Sequence, residues 1–407
     1  MKRLVHLLNL LIDKKISLKN PKKSDVLIWD AENIDILSIH TLYGIDHTIL
    51  PVRGEVVYYS PQIIIKILKI FISSIFNNLL SREEMIDTGQ SSVHSLACIQ
   101  YINPKVVLTF NDNNATFYWL SSKFPQATFY AIQNGNRVFN DTLEYSPYDL
   151  ERDELALSFM NKLNPSTHLI VYGEHEISFY KKNHACIGTY YPIGSLKGSH
   201  YRYKVIGHLP KNEFTLCLVS PYRKALMEGL LFPNLKQSMV IIIDYINQFI
   251  QETGSRLCIA LASETQEEYD YFLNKFGNEI TIIKQNRELF STYEAMSKSE
   301  VILSTHSTAV IEAFGWGKKV LFCNYSGDPF LDHTFSDICN TNIIDYTCFK
   351  NKLQFLLDMD AGLYSDMTRN AQKHMMNYNP DIPATLFLRK LVLQDLTPPN
   401  KSNILTK

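Results

Sequence analysis

The sequence predicts an α/β protein made of two doubly wound, Rossmann-like domains that face each other. Three observations predict it. Short apolar segments alternate with helical stretches along most of the chain, the pattern of βαβ units and parallel sheets. Many of those segments are apolar at every position, as expected of strands covered on both faces. The series is interrupted once, by the Gly-, Lys-, His- and Tyr-rich stretch Gly194 to Asn212, which reads as an interdomain linker.

In the first series the strands are Val26 to Trp29, His47 to Leu50, Val56 to Tyr59, Val106 to Thr109, Thr128 to Ile132 and His168 to Val171, with helices at Ser92 to Tyr101 and Ala115 to Lys123. The second series contains Phe214 to Val219, Leu257 to Ala262, Ile280 to Ile283, Val301 to Ser304 and Val320 to Phe322. Its helices fall near Ser238 to Thr253, Glu267 to Phe276 and Leu289 to Ser297. Leu353 to Val392 reads as helical and long enough to cross back to the first domain, before a loose Thr-Pro-Pro-Asn-Lys-Ser tail. The boundaries expected are 1–200, 213–375 and a terminal helix and tail at 376–407.

Composition sets the outer limits. With 407 residues and 45% hydrophobic content the chain buries a large core. Lys plus Arg total 40 against 41 Asp plus Glu, so the net charge of −1 and the absence of a repeated basic-aromatic pattern argue against nucleic acid. The seven cysteines include no CxxC pair and several sit in apolar runs, which suits reduced core residues of a cytoplasmic protein. Met1 to Ile12 lacks a small-residue cleavage site. In Ile63 to Leu80, Lys66, Lys69, Asn77 and Asn78 interrupt the roughly 20 apolar residues that a membrane span needs. That stretch reads first as a helix packed on a core. With Lys14, Lys15, Lys19, Lys22 and Lys23 it also suits peripheral contact with anionic lipid at the inner face of the cytoplasmic membrane.

The segment Val301 to Phe322 carries most of the functional signal. It reads as strand, polar turn, short helix, Gly-rich turn, strand. Ser304, Thr305, His306, Ser307 and Thr308 stand at the strand's carboxyl end, where Ser307 or Thr308 caps a helix with the apolar face Val310, Ile311 and Phe314. A helix N-terminus at that place suits a phosphate, through its free N–H groups and its dipole. Glu312 is placed to accept hydrogen bonds from ribose hydroxyls, and His306 to donate to a leaving phosphate with a pKa near working pH. Ser220 and Arg223 follow the first strand of the same domain and point to the same nucleotide site.

Facing them, the first domain offers three loops after strands. Phe110 to Asn114 contains Asn111 and Asp112, Gln133 to Arg137 contains Gln133, Asn134 and Arg137, and Gly173 to Glu176 contains Glu174 and Glu176. Asp112 reads either as a catalytic acid or as the cap of the next helix, and Glu174 either as a catalytic acid or as a first-turn acid answering the helix dipole. Arg137 can bind carboxylate or phosphate in a forked geometry.

The order Arg53-Gly-Glu55, Thr109-Phe-Asn-Asp-Asn-Asn114, Gln133-Asn-Gly-Asn-Arg137, Tyr191-Pro-Ile-Gly-Ser195 and Ser304-Thr-His-Ser-Thr308 with Glu312-Ala313 resembles bacterial surface-carbohydrate (lipopolysaccharide and capsule) biosynthesis glycosyltransferases of the GT-B type, related in plan to transferases of Kdo and other nonulosonic acids. The resemblance covers about residues 1–375. It implies α/β GT-B architecture, two facing Rossmann-like domains with a C-terminal helical crossover, the acceptor glycan on the first and a nucleotide sugar, CMP-linked, on the second. It further implies donor contacts at His306, Ser307 and Thr308, a ribose contact at Glu312 and sugar-side contacts at Gln133, Asn134 and Arg137. It does not choose among Asp112, Glu174 and Glu176 for the catalytic acid. No cofactor is expected, the sugar nucleotide being the substrate, and no metal, since Asp358-Met-Asp360 lies in a helical region away from these motifs.

The expected chemistry is glycosyl transfer, to a cell-surface glycan or lipid-linked glycan acceptor. An acid of the first domain, Asp112 or Glu174, serves as base or nucleophile, and His306 with Arg223 eases departure of the nucleotide. A polyol-phosphate or glycerophosphate transferase shares this pattern, and a non-catalytic assembly protein is a further reading. An oxidoreductase fits poorly, because Asp30-Ala-Glu-Asn33 stands where a GxGxxG fingerprint belongs.

Overall fold

The computed structural model describes residues 16–52, 56–77, 82–137, 150–161, 166–228, 233–286, 288 and 290–397. Two six-stranded sheets, parallel at every pairing, organise them. The first contains β1 (Val26–Trp29), β2 (His47–Leu50), β3 (Val106–Thr109), β4 (Thr128–Ile132), β5 (Thr167–Val171) and β6 (Thr189–Pro192), in the spatial order β2-β1-β3-β4-β5-β6. The second contains β7 (Phe214–Val219), β8 (Leu257–Ala260), β9 (Thr281–Ile283), β10 (Ser299–Ser304), β11 (Lys319–Cys323) and β12 (Asn340–Thr341), in the order β9-β8-β7-β10-β11-β12.

The helices are α1 (Pro61–Asn77), α2 (Arg82–Ile102), α3 (Ala115–Lys123), α4 (Leu150–Met160), α5 (Glu174–Lys182), α6 (Leu196–His200), α7 (Lys224–Met227), α8 (Pro233–Thr253), α9 (Gln266–Phe276), α10 (Ser291–Ser297), α11 (Thr308–Gly315), α12 (Tyr346–Asp358), α13 (Ala361–Met375) and α14 (Ala384–Leu396).

The sheets explain the bare apolar strands. Leu27, Trp29, Val107, Phe129 and Leu169 pack on one face of the first sheet, while Val26, Ile28, Val106, Leu108, Ile132 and Ile170 pack on the other, so both halves of each strand's alternation are buried. The second face is covered partly by α14, through Ala384, Leu388 and Val392. The chain thus returns to the first lobe at its end, as the helical pattern of Leu353 to Val392 suggests.

Several expectations are corrected. Val57–Tyr58 pairs in parallel with Ile16–Ser17 and lies outside the main sheet. The edge strands β6 and β12 escape sequence reading because Thr-Tyr-Tyr-Pro has no aliphatic run and β12 has two residues. The stretch Gly194 to Asn212 does link the two sheets, running from β6 to β7, but it is structured and not an open loop. It forms α6 and a π-helical turn at Tyr201–Val205, and Leu196, Gly198, Ser199, His200 and Tyr201 are buried. Among the described residues no helix is long and apolar enough to cross a membrane.

The return crossing is seated by small residues. After α13, Asn377 N–H donates to the Tyr172 carbonyl at 2.7 Å and its side-chain amide donates to the Pro192 carbonyl at 2.9 Å. A Cβ on Gly173 would run into the His374 backbone, and one on Gly198 into the Tyr378 hydroxyl. Glycine at these positions lets the crossover lie flat across both lobes.

Candidate functional site

The second sheet's strand order reverses between β7 and β10, and in open α/β sheets ligands bind beyond the strand ends at such a switch point. Ser220 to Arg223 leave β7 there, and Thr305 to Thr308 leave β10. Ser307 occupies the N-cap of α11 with extended backbone, yet its hydroxyl makes no capping bond. Val310 N–H donates back to the Ser307 carbonyl at 3.1 Å, which leaves the Thr308 and Ala309 amides at the helix start to meet an anion.

His306 is half-buried beside this turn, and the Thr305 hydroxyl lies 2.7 Å from its Nδ1. Burial, reinforced by the nearby positive charge of Arg223, pushes His306 down to about 4. The expectation of a pKa near working pH is thus corrected: the imidazole is neutral and offers a hydrogen bond, and the charge at this turn belongs to Arg223. Arg223 is exposed and donates to the Tyr222 carbonyl at 2.7 Å.

Two hydroxyls expected at the nucleotide site are used elsewhere. Ser304 is fully buried and donates to the Val219 carbonyl at 3.2 Å, tying β10 to β7. Ser220 donates to buried Glu268 and accepts from Tyr222 N–H at 3.1 Å. Glu268 also receives the Ala262 and Ser263 amides at 2.9 Å each, so it staples the ends of β7 and β8 together. Thr305 is buried as well.

The facing lobe contributes the loop 133–137. Asn136 N–H donates to the Thr308 hydroxyl at 3.1 Å, closing the first lobe directly over the start of α11. The loop owes its shape to a buried ion pair. The Arg137 guanidinium forks onto Asp112, with Nε to Oδ2 at 3.0 Å and a second contact from an Nη, and these side chains are 9% and 0% exposed. Asp112 also accepts from the Tyr180 hydroxyl at 2.8 Å and from Asn134 N–H at 3.2 Å. Gln133 braces the same loop, donating to the Gly135 carbonyl at 2.8 Å and accepting from Tyr172 N–H at 2.9 Å.

These contacts sort the candidate acids by geometry. Asp112 spends its oxygens on four donors inside the lobe and holds the loop in place; it does not cap α3 either, since Asn114 accepts from Thr116 N–H at 3.0 Å. Asn111 is buried beside it. Glu174 is exposed on the first turn of α5, in the position of a dipole-matched acid. Glu176 differs from both. It is 1% exposed, its Oε1 accepts from Arg137 N–H at 3.3 Å, and its Oε2 is without a hydrogen-bond partner. Burial raises Glu176 to about 7 against the pull of Gln133 and Arg137, the range in which a carboxyl exchanges protons at neutral pH.

Glu312 lies along the same interlobe seam, 4% exposed. Burial raises its pKa, opposed by the Ser195 and Tyr293 hydroxyls and by Lys197. Tyr172 is buried among Glu312, Asp112, Arg137 and Glu176, whose charges act on its hydroxyl. Sequence reading missed Tyr172 and Tyr293; Asn136 and Ser195 stood in quoted motifs but were not singled out. Arg53 and Glu55 lie outside the described residues. Among the described residues no group of three or more His, Cys, Asp or Glu is placed to hold a metal.

No family model matches the sequence, and no curated protein is detectably similar to it. Solved structures are more informative. The S. aureus MnaA–UDP co-structure aligns over 91% of this chain and 95% of its own, at 14% identity and a TM-score of 0.54. The chain has the GT-B fold. A Methanocaldococcus jannaschii UDP-GlcNAc 2-epimerase in complex with UDP-GlcNAc and UDP aligns over 92% of this chain and 100% of its own, at 14% identity and a TM-score of 0.51. The Neisseria meningitidis UDP-GlcNAc 2-epimerase bound to UDP-GlcNAc aligns over 91% and 98%, at 13% identity and a TM-score of 0.50. At these identities the likeness is one of fold.

Proposed function

We propose that the chain is a transferase that takes a sugar from a pyrimidine nucleotide and passes it to a glycan hydroxyl. The observation that carries this reading is the closed contact at the switch point: an uncapped helix start, neutral His306 and cationic Arg223 on one lobe, covered by Asn136 of the other. The donor's phosphates rest on the α11 amides, with Arg223 as counter-charge and the imidazole as a neutral donor. Glu312 faces the ribose.

Glu176 replaces Asp112 and Glu174 as the general base. As the acceptor oxygen bonds to the anomeric carbon, the bond from that carbon to the phosphate oxygen breaks. The acceptor proton moves to Glu176, and the nucleotide leaves as an anion held at α11. The Asp112–Arg137 pair positions the 133–137 loop, and closure of the lobes keeps water from the donor.

A CMP-linked nonulosonic acid remains the donor proposed from the motif resemblance, whereas the neighbouring structures hold UDP or UDP-GlcNAc. A second reading follows from those neighbours: epimerisation of a UDP-sugar, with Glu176 exchanging the proton on carbon. A thermal-shift series with CMP, UDP, GDP and their sugars, followed by product analysis, separates the two. Transfer requires an acceptor and releases free nucleotide; epimerisation yields a new UDP-sugar with no acceptor present. Stabilisation by NAD and by no pyrimidine nucleotide would overturn both.

A further inference from the structure

The crossover sends one aromatic ring into the seam between the lobes. Tyr378 follows Asn377, whose backbone and side-chain amides tie the chain to the Tyr172 and Pro192 carbonyls. The Tyr378 ring lies against three glycines. A Cβ on Gly194 would come within 2.5 Å of its Cδ1, one on Gly315 within 2.9 Å of its Cε2, and one on Gly198 would collide with its hydroxyl. Gly194 has a φ of +75°, which asks for glycine in any case. Gly198 and Gly315 lie in α6 and α11, where alanine is the better helix former, so the ring, joined at Gly315 by Met376, is a reason for glycine at both.

Phenylalanine would fill the same slot, so the hydroxyl needs its own account. It is buried and has no hydrogen-bond partner among the described residues, an arrangement that costs free energy. The Ser195 hydroxyl acts on it from nearby, yet accepts from Gly198 N–H at 3.2 Å. Burial holds the phenol protonated well above the usual tyrosine range, and of the charges acting on it that of Glu312 is the largest. The point where a Gly198 Cβ would collide with the hydroxyl is 3.4 Å from Glu312 Cβ, so the phenol and the root of the Glu312 side chain flank one glycine. The Ser195 and Tyr293 hydroxyls favour the ionised form of Glu312. A carboxylate has about four acceptor sites. Two hydroxyls do not fill them, and the orphaned phenol is a third donor beside the same group.

We infer that Tyr378 is a positioning residue: its hydroxyl donates to the ionised Glu312 carboxylate and fixes the orientation in which that carboxylate receives the ribose. The inference rests on the proposed nucleotide site and adds the crossover to it. Ring and hydroxyl then have separate tasks, the ring packing the crossover into the seam and the hydroxyl acting through Glu312.

Calorimetric titration of CMP, UDP and their 2′,3′-dideoxy forms into the full chain and into Tyr378→Phe tests it. The variant keeps the ring, so its melting temperature should not fall. The ribonucleotide that binds the wild type should bind Tyr378→Phe about 3- to 10-fold more weakly. That loss should disappear in two comparisons: with the dideoxy form, which has no ribose hydroxyl for Glu312 to receive, and in a Glu312→Gln background, which has no carboxylate to hold. Equal ribonucleotide affinity for wild type and Tyr378→Phe overturns the proposal. So does a loss of the same size with the dideoxy form or in the Glu312→Gln background, because the hydroxyl then acts on packing and not through Glu312. Binding of neither ribonucleotide to the wild type overturns the nucleotide reading and this proposal with it, whereas binding that Arg223→Ala weakens and Tyr378→Phe does not overturns this proposal alone.

Discussion

Replacing Glu176 with Gln should make the protein more stable at neutral pH and leave it unchanged in acid. Burial raises the folded-state pKa of Glu176 from an ordinary 4.5 to about 7. Below 4.5 both folded and unfolded chains hold the proton, and the carboxyl costs nothing in either. Between 4.5 and about 7 the unfolded chain releases it while the folded chain keeps it, so stability falls as pH rises. At about 1.4 kcal/mol per unit, the full cost above pH 7 is about 3 kcal/mol. Gln has the same shape and no proton to lose, so the variant escapes that cost. At about 2–4 °C per kcal/mol for a lobe of this size, the melting temperature of E176Q should match wild type near pH 4.5 and exceed it by about 6–12 °C near pH 8. Scanning calorimetry from pH 4.5 to 8 reads this directly. Parallel curves for the two proteins would show that Glu176 titrates normally, and would remove the physical basis for its role as base. If the role is right, the stabilised variant is also inactive, because a neutral amide cannot take the acceptor proton.

Further outcomes follow from the same geometry. Arg137→Met strands Asp112 as an unpaired buried charge and should cost about 3–5 kcal/mol, whereas adding Asp112→Asn should restore part of the loss; a double-mutant cycle in urea measures this. Gly173→Ala forces the His374 backbone away from α5 and should cost about 1–3 kcal/mol, seen as a lower melting temperature and faster proteolysis at the crossover. Lys318, whose ammonium donates to Asn212 and to the Ser297 carbonyl, is lowered to about 8 by burial. Its contribution is complete above the unfolded value of 10.5 and is lost as pH falls towards 8, so Lys318→Met should flatten the pH profile of stability between pH 8 and 10.5.

The two lobes were legible because buried parallel strands leave an unmistakable mark: Val26 to Trp29 and Val106 to Thr109 have no polar residue facing a solvent side that does not exist. The edge strands were not, since Thr189–Pro192 is half-buried and carries aromatic and polar residues. The turn after β10 was located from its polar run. Which of its hydroxyls are free was hidden, because Ser304 and Ser220 are claimed by Val219 and Glu268, partners distant in sequence. The same holds for the acids. Asp112, Glu174 and Glu176 look alike in a sequence, and only the folded contacts show that Arg137 and Tyr180 occupy the first, solvent the second, and burial the third. Gly194 to Asn212 was legible as the link between the lobes, whereas its helical, buried form was not, because the partner that Gly198 is small enough to admit, Tyr378, is distant in sequence.

The most direct test of the nucleotide site is calorimetric titration of UDP and CMP into wild-type protein and into Arg223→Ala. Loss of a charge-assisted contact to phosphate corresponds to about a 10- to 100-fold weaker Kd. The account predicts that at least one of the two nucleotides binds the wild type and that the variant weakens it by that factor. Binding of neither, or equal affinity for both proteins, contradicts a phosphate held at the start of α11.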